Sequence, residues 1–284
     1  MRIGIDLAEK EISAALLEKD TIIKKIDNSI YTSKRDPNHV IMDKIIDLIN
    51  ELINPHVNGI GVSLPSTYDI DKKIIYDVDK IPYWEKIRIK YLIEEKFGKP
   101  VGINNDINCY LLGEKFYGYN QDFKNILCIH LGEKIEVGLM VNEKLFTSNK
   151  MTFNNINCLS EAYYTNICIY RKKYCKILKE LEKMCRDFPQ QSFNTPTHKS
   201  WKALGCCLGK LISILLINHK VDSIVLGGNL ASYYPNYATY IDECLFNIFP
   251  PDILLNLVIT KTKFENPRPF GAVFCLNELP LPIY

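Results

Sequence analysis

Two stretches of the chain are written to one plan, and that duplication limits the fold more than any other feature. Arg2 to Glu18 reads RIGIDLAEKEISAALLE, and Asn125 to Val141 reads NILCIHLGEKIEVGLMV. Each is an apolar strand, a Leu-Ala/Gly-Glu-Lys corner and a second apolar strand. The copies stand roughly 124 residues apart, the spacing of a duplicated domain and not of a short repeat array.

The sequence around each copy runs the same way. Residues 2–7, 11–18 and 21–30 are short, Ile-rich and separated by charged corners, which predicts three strands. Residues 40–53 place apolar side chains three and four apart, so an amphipathic helix is expected after Asp36-Pro37. A buried strand over 59–64, a helix over 87–97 closed by Gly98, a strand over 101–103 and a helix over 107–117 follow. After the polar stretch 118–124 the order restarts. Strands are expected over 125–131, 134–141 and 144–146, then a helix over 159–186, an apolar helix over 201–218, a strand over 223–226, a helix over 237–248 and a strand over 258–264. The prediction is a duplicated βββαβα, hence an α/β chain of two lobes around a cleft. The expected domains are 1–119, with the tail 271–284 packed back on it, and 120–270.

Composition narrows the partners. The 47% hydrophobic and 24% charged fractions are those of an ordinary globular chain. A formal net charge of +2 gives no basic footprint for nucleic acid. No segment approaches ~20 uninterrupted apolar residues, so no membrane span is expected. The first residues form a strand and lack the basic-then-apolar plan of a signal peptide. Ten cysteines sit mostly among core-like neighbours, as in Leu127-Cys128-Ile129 and Phe274-Cys275-Leu276. Reduced thiols and a cytoplasmic location are expected. Cys168, Cys175 and Cys185 lack zinc-ligand spacing, so no zinc is expected.

Several ordered motifs now carry a resemblance. Gly59-Ile60-Gly61-Val62, Pro65, Ile81-Pro82-Tyr83-Trp84, Asn105-Asp106-Ile107-Asn108, Gly113-Glu114, the run from Ile224 to Ala231 (IVLGGNLA) and Gly271-Ala272 follow one another. The chain resembles the ROK family of bacterial sugar kinases and sugar-responsive repressors over nearly its whole length. That resemblance implies the two-lobed actin/hexokinase/Hsp70-like (ribonuclease H-like) fold. It also implies a sugar or sugar derivative as small-molecule partner, with Asp106 as catalytic base and Asn105 as sugar ligand. Asn155 would be a further sugar ligand, standing where the family has Glu, and Cys158 where it has His. Asp6 matches the Asp of the first phosphate motif and would hold Mg²⁺ if the protein is active. Gly132 and Gly138 match the second phosphate motif, and Gly227 and Gly228 the adenosine side. The repressor branch carries a DNA-binding module ahead of its first strand. Here Met1 opens directly onto the strand, so no direct DNA binding is expected, while a homodimer stays open. A capping role for Asp106 at the following helix is the alternative to the catalytic one.

The phosphate corners depart from the family. Ala8, Glu9, Lys10 and Glu11 stand where Gly, Gly, Thr and Lys are usual, and Glu133, Lys134 and Glu136 replace a Thr and two glycines. Glycine lets backbone N–H groups approach phosphate oxygens closely, and a carboxylate both blocks that approach and repels the anion. One such pair at ~4 Å and an effective dielectric of ~20 costs about 4 kcal/mol, on the order of a thousandfold in affinity. Two readings stay open: a sugar-binding ROK protein with phosphoryl transfer lost or vestigial and no certain cofactor, or an active Mg-ATP-dependent sugar kinase with unusual loops. The corners predict that Mg-ATP binds more weakly than about 100 μM, near −5.5 kcal/mol. Titration calorimetry checks this, and a tighter constant would contradict the repulsion argument.

Overall fold

A computed structural model of the chain describes residues 1–8, 11–19, 21–31, 38–65, 67–69, 74–76, 88–132, 135–146, 172–179 and 199–276. The chain divides into two compact units, one of residues 1–121 together with the chain from Asn266 onward, the other Asp122–Glu265.

The first unit is built on five strands: β1 (Arg2–Leu7), β2 (Glu11–Glu18), β3 (Thr21–Tyr31), β4 (Ile60–Leu64) and β7 (Val101–Asn105), in the order β3-β2-β1-β4-β7. β1, β2 and β3 pair antiparallel, and β1, β4 and β7 pair parallel. Successive side chains on a strand take opposite faces, and the two faces of this sheet have different jobs. Ile3, Ile5 and Leu7, with Ile12, Ala14 and Leu16 and with Ile60, Val62 and Leu64, form one buried cluster. Against it lie Ile41, Ile45, Leu48 and Ile49 of α1 (Asn38–Leu52) and Ile89 and Ile93 of α2 (Ile89–Phe97). A small hairpin, β5 (Thr67–Asp69) and β6 (Ile74–Tyr76), follows β4 and was not anticipated from the sequence.

The opposite face carries a row of glycines. Gly4 lies beside Gly61, and Gly61 beside Gly102, in register across three parallel strands. Onto this row settle α8 (Arg268–Ala272) and the 3-10 turn Val273–Leu276. A Cβ at Gly4 would overlap the Pro269 carbonyl oxygen, one at Gly61 the Ala272 carbonyl and one at Gly102 the Cys275 backbone. α3 (Asp106–Tyr117) joins the same layer, where Gly271 comes so close that a Cβ would overlap the Cys109 carbonyl. Backbone therefore packs on backbone, at a distance that only glycine permits.

The second unit repeats the topology. Its strands are β8 (Ile126–Leu131), β9 (Ile135–Val141), β10 (Lys144–Leu145), β11 (Ser223–Gly227) and β12 (Val258–Lys261), in the order β10-β9-β8-β11-β12. Read in chain order, both sheets run third, second, first, fourth, fifth strand. All five strands of each sheet lie where strands were expected, β7 at 101–103 and β12 at 258–264 included, so each half holds one strand more than the label βββαβα counts. Helix α4 (172–179) is followed by α5 (Lys199–Asn218), the 3-10 turn Ala231–Asn236, α6 (Ala238–Phe246) and α7 (Pro251–Leu254). Among the described residues α5 alone is long and apolar enough to span a membrane, which the run-length count missed because Lys202 and Lys210 interrupt it. Its Trp201, Leu204, Leu208, Leu211 and Ile212 are buried against Leu127, Ile129, Leu131 and Leu139, so its apolarity serves the core of this unit.

The glycine row predicts a large local penalty. Gly61→Ala should lose at least about 3 kcal/mol, the upper part of the range for overpacking a rigid site, because the obstructing atom is backbone. Urea unfolding measures it, and a loss under about 1 kcal/mol would mean that the seam can open at little cost.

Candidate functional site

Two residues beyond the glycine row, on the same face of the first sheet, the strands carry polar side chains. Asp6 of β1 stands in register with Ser63 of β4, Ser63 with Asn104 of β7, and Ser13 of β2 lies across from Asp6. In open α/β sheets the carboxyl ends of parallel strands are where ligands bind. Asp6 is only 1% exposed. Its Oδ1 accepts from Ser63 Oγ at 2.6 Å and its Oδ2 from Asn266 Nδ2 at 3.0 Å, with Arg268 Nη1 at 3.9 Å. Asn266 Nδ2 also donates to Ser13 Oγ at 3.2 Å, and the Arg268 guanidinium lies 5.5 Å from the centre of the Tyr110 ring, within cation–π range. Ser13, Ser63, Asn266 and Arg268 were not singled out from the sequence. The available signal was Asn266-Pro267-Arg268-Pro269, polar residues fixed between prolines just before Gly271-Ala272.

α3 begins where β7 ends, and its start holds the two residues expected to meet a sugar. Asn105 is the N-cap: its side chain accepts from Asn108 N at 2.8 Å. Asn104 Oδ1 accepts from Asn105 N at 2.8 Å and from Asn108 Nδ2 at 2.9 Å, which fixes this corner. Asp106 is the first residue of the helix, buried, with Oδ1 accepting from Ile107 N at 2.8 Å. The cap is therefore Asn105, and Asp106 adds its charge to the positive end of the helix dipole. Asn105 is 3% exposed, and its Nδ2 has no hydrogen-bond partner among the described residues. A buried donor left so costs about 1–3 kcal/mol, which an arriving acceptor such as a hydroxyl oxygen would recover. Asn155 lies outside the described residues. Further along α3, Cys109 Sγ lies 3.8 Å from Cys275 Sγ. Burial pushes the Cys109 thiol well up, and Cys275 and Asp6 push the same way.

In the second unit Gly132 follows β8, Gly227 ends β11 beside His130, and Gly228 follows it. Gly228 has φ +82°, and a Cβ there would stand 2.6 Å from the Leu131 carbonyl oxygen. Strand ends β8 and β11 thus close together only with glycine at 228. Gly138 lies mid-strand in β9, opposite Cys128. The Gly132 carbonyl accepts from Tyr174 Oη at 2.8 Å, tying α4 to this corner. Glu136, counted above as a phosphate-repelling acid, faces His130 across the β8–β9 ladder with Oε2 3.5 Å from Nδ1. Its charge has a partner whenever that His is protonated. Glu9, Lys10, Glu133 and Lys134 lie outside the described residues.

Two α/β units on one repeated sheet topology, with polar residues gathered at the strand ends, define a protein of the actin/hexokinase-like class. The chain belongs to the ROK family, whose model matches residues 2–152. The xylose repressor of Bacillus spizizenii is 31% identical over 151 residues, 51% of this chain and 38% of the repressor. The glucokinase of Thermotoga maritima is 28% identical over 148 residues, 51% of this chain and 46% of the enzyme. The matches thus span less than half of those curated relatives. A ROK family glucokinase from Streptomyces griseus, solved with glucose and AMPPNP, superposes with a TM-score of 0.66 at 16% identity, covering 96% of this chain and 97% of the other. That likeness fixes the fold.

The cap geometry sets a test. Asn105→Ala should lose about 1 kcal/mol with the missing cap. Asn105→Ser keeps an accepting oxygen at the cap, deletes the unpaired amide and adds no charge beside Asp106, so urea unfolding should show a smaller loss. Equal losses would mean that the amide nitrogen matters to the fold itself.

Proposed function

We propose that this ROK-family chain binds a sugar or sugar derivative at the start of α3, and that ATP-dependent phosphoryl transfer is lost or vestigial. The observation that carries the reading is the Asn105 amide, a buried donor without an acceptor among the described residues, next to the buried carboxylate of Asp106. A donor and an acceptor side by side suit a sugar hydroxyl, which accepts one hydrogen bond and donates another. Asp106 would take the hydroxyl proton if transfer occurred. The altered corners at Glu9, Glu133 and Lys134, read from the sequence, argue against tight phosphate binding. The glucose and xylose named for the relatives make those two sugars the first to try. Thiols buried side by side at Cys109 and Cys275 accord with a reducing, cytoplasmic setting.

Thermal shift with glucose, xylose and other monosaccharides, followed by a coupled assay for sugar-dependent ADP release, tests the reading. A sugar at a hundred times its dissociation constant should stabilise the protein by about 2.7 kcal/mol. Asp106→Ala should remove that shift, and no sugar-dependent ADP release should appear. Release abolished by Asp106→Asn would establish the active-kinase reading instead. No response to any sugar would refute both.

A further inference from the structure

A ROK kinase would bring a divalent cation, with its nucleotide, to Asp6. The residues around Asp6 do not fit one. Mg²⁺ demands a near-octahedral shell of oxygen ligands at about 2.0–2.1 Å and keeps several waters. The Asp6 carboxylate is 1% exposed, leaving no room for those waters on it. Its Oδ1 is engaged by Ser63 Oγ and its Oδ2 by a nitrogen donor, Asn266 Nδ2. The orientation of that amide is fixed, because Asn266 Oδ1 accepts from Arg268 N at 3.2 Å and so turns Nδ2 toward Asp6. Arg268 then places a permanent positive charge 3.9 Å from the same carboxylate oxygen. A second cation there would meet like-charge repulsion and would have to displace both groups.

We propose that Asn266 and Arg268 take the cation's place at Asp6, making the strand end of this unit self-neutralised and independent of metal. Both residues belong to the segment seated on the glycine row, and Arg268 also lies against the Tyr110 ring of α3. The internal cation is therefore held by three elements, the Asp6 strand, α3 and the returning segment. Asp6 serves as the anchor of that segment and not as a metal ligand. This inference stands on the first unit alone and does not depend on whether a sugar binds.

Mn²⁺ is the probe, because its electron paramagnetic resonance signal reports free ion directly and needs neither sugar nor nucleotide. The full chain, Asp6→Asn and the double variant Asn266→Ala/Arg268→Met are titrated with Mn²⁺ alone. The parent should show no Mn²⁺ binding tighter than about 1 mM that Asp6→Asn removes. The double variant uncovers the carboxylate and should gain at least about tenfold in Mn²⁺ affinity. Parent binding that Asp6→Asn abolishes would overturn the proposal, as would a folded double variant that gains nothing. Should the double variant fail to fold, the parent and Asp6→Asn decide alone: binding lost in Asp6→Asn overturns the proposal, and titrations that coincide support it.

Discussion

The close approach of the returning C-terminal segment to the glycine row of the first sheet is the constraint from which the rest of that unit follows. Gly4, Gly61 and Gly102 leave a flat strip with no side chains, and α8 with the turn after it lies directly on strand backbone. Nothing larger than glycine fits at these three crossings. The segment lies far from β1 in the chain, so ordering it costs loop-closure entropy that the seam must offset. Phe274 adds to the seam by stacking on Phe116 of α3 at 3.8 Å between ring centres.

That packing positions the polar chemistry. With Pro269 held over Gly4, the residues just before it reach the strand ends, where Asn266 and Arg268 meet Asp6. With Gly271 held against Cys109, α3 is fixed along its length, and its capped start presents Asn105 and Asp106. A buried carboxylate at Asp6 without partners would be strongly destabilising. Here the partners come from the same segment that the glycines admit. Seam, neutralised acid and capped helix are one assembly, and the second unit repeats its sheet topology but ends in a His130–Glu136 pair at the corresponding corner.

The sequence made the fold legible because its signal is periodic and duplicated. The alternating strands around Asp6 and around His130, and the helical spacing from Val40 to Leu52, are local patterns that tertiary contacts only reinforce. The helix start near residue 107 was also visible, but its capping role was read at Asp106 and falls to Asn105, one residue earlier. The contacts of Asp6 were not visible. They depend on Asn266 and Arg268, distant in the chain, and no local pattern says which carboxylate a returning arginine will meet. Glu136 shows the same gap: it reads as a bare acid in one dimension, and only the pairing register sets His130 opposite it. The hairpin of β5 and β6 escaped because three-residue strands leave too short an alternation to register.

The central proposal is that the start of α3 is a polyol site and that the phosphate corner of the second unit no longer holds a nucleotide. Amide chemical-shift mapping of the isotope-labelled chain reads both places in one sample. Addition of a binding sugar should move the Asn105 side-chain NH₂ and the backbone amides of Asp106, Ile107 and Asn108, and Mg-ATP should leave Gly132, Gly227 and Gly228 where they were. Saturable movement of those glycine amides with Mg-ATP, while the Asn105 NH₂ ignores every sugar, would contradict it.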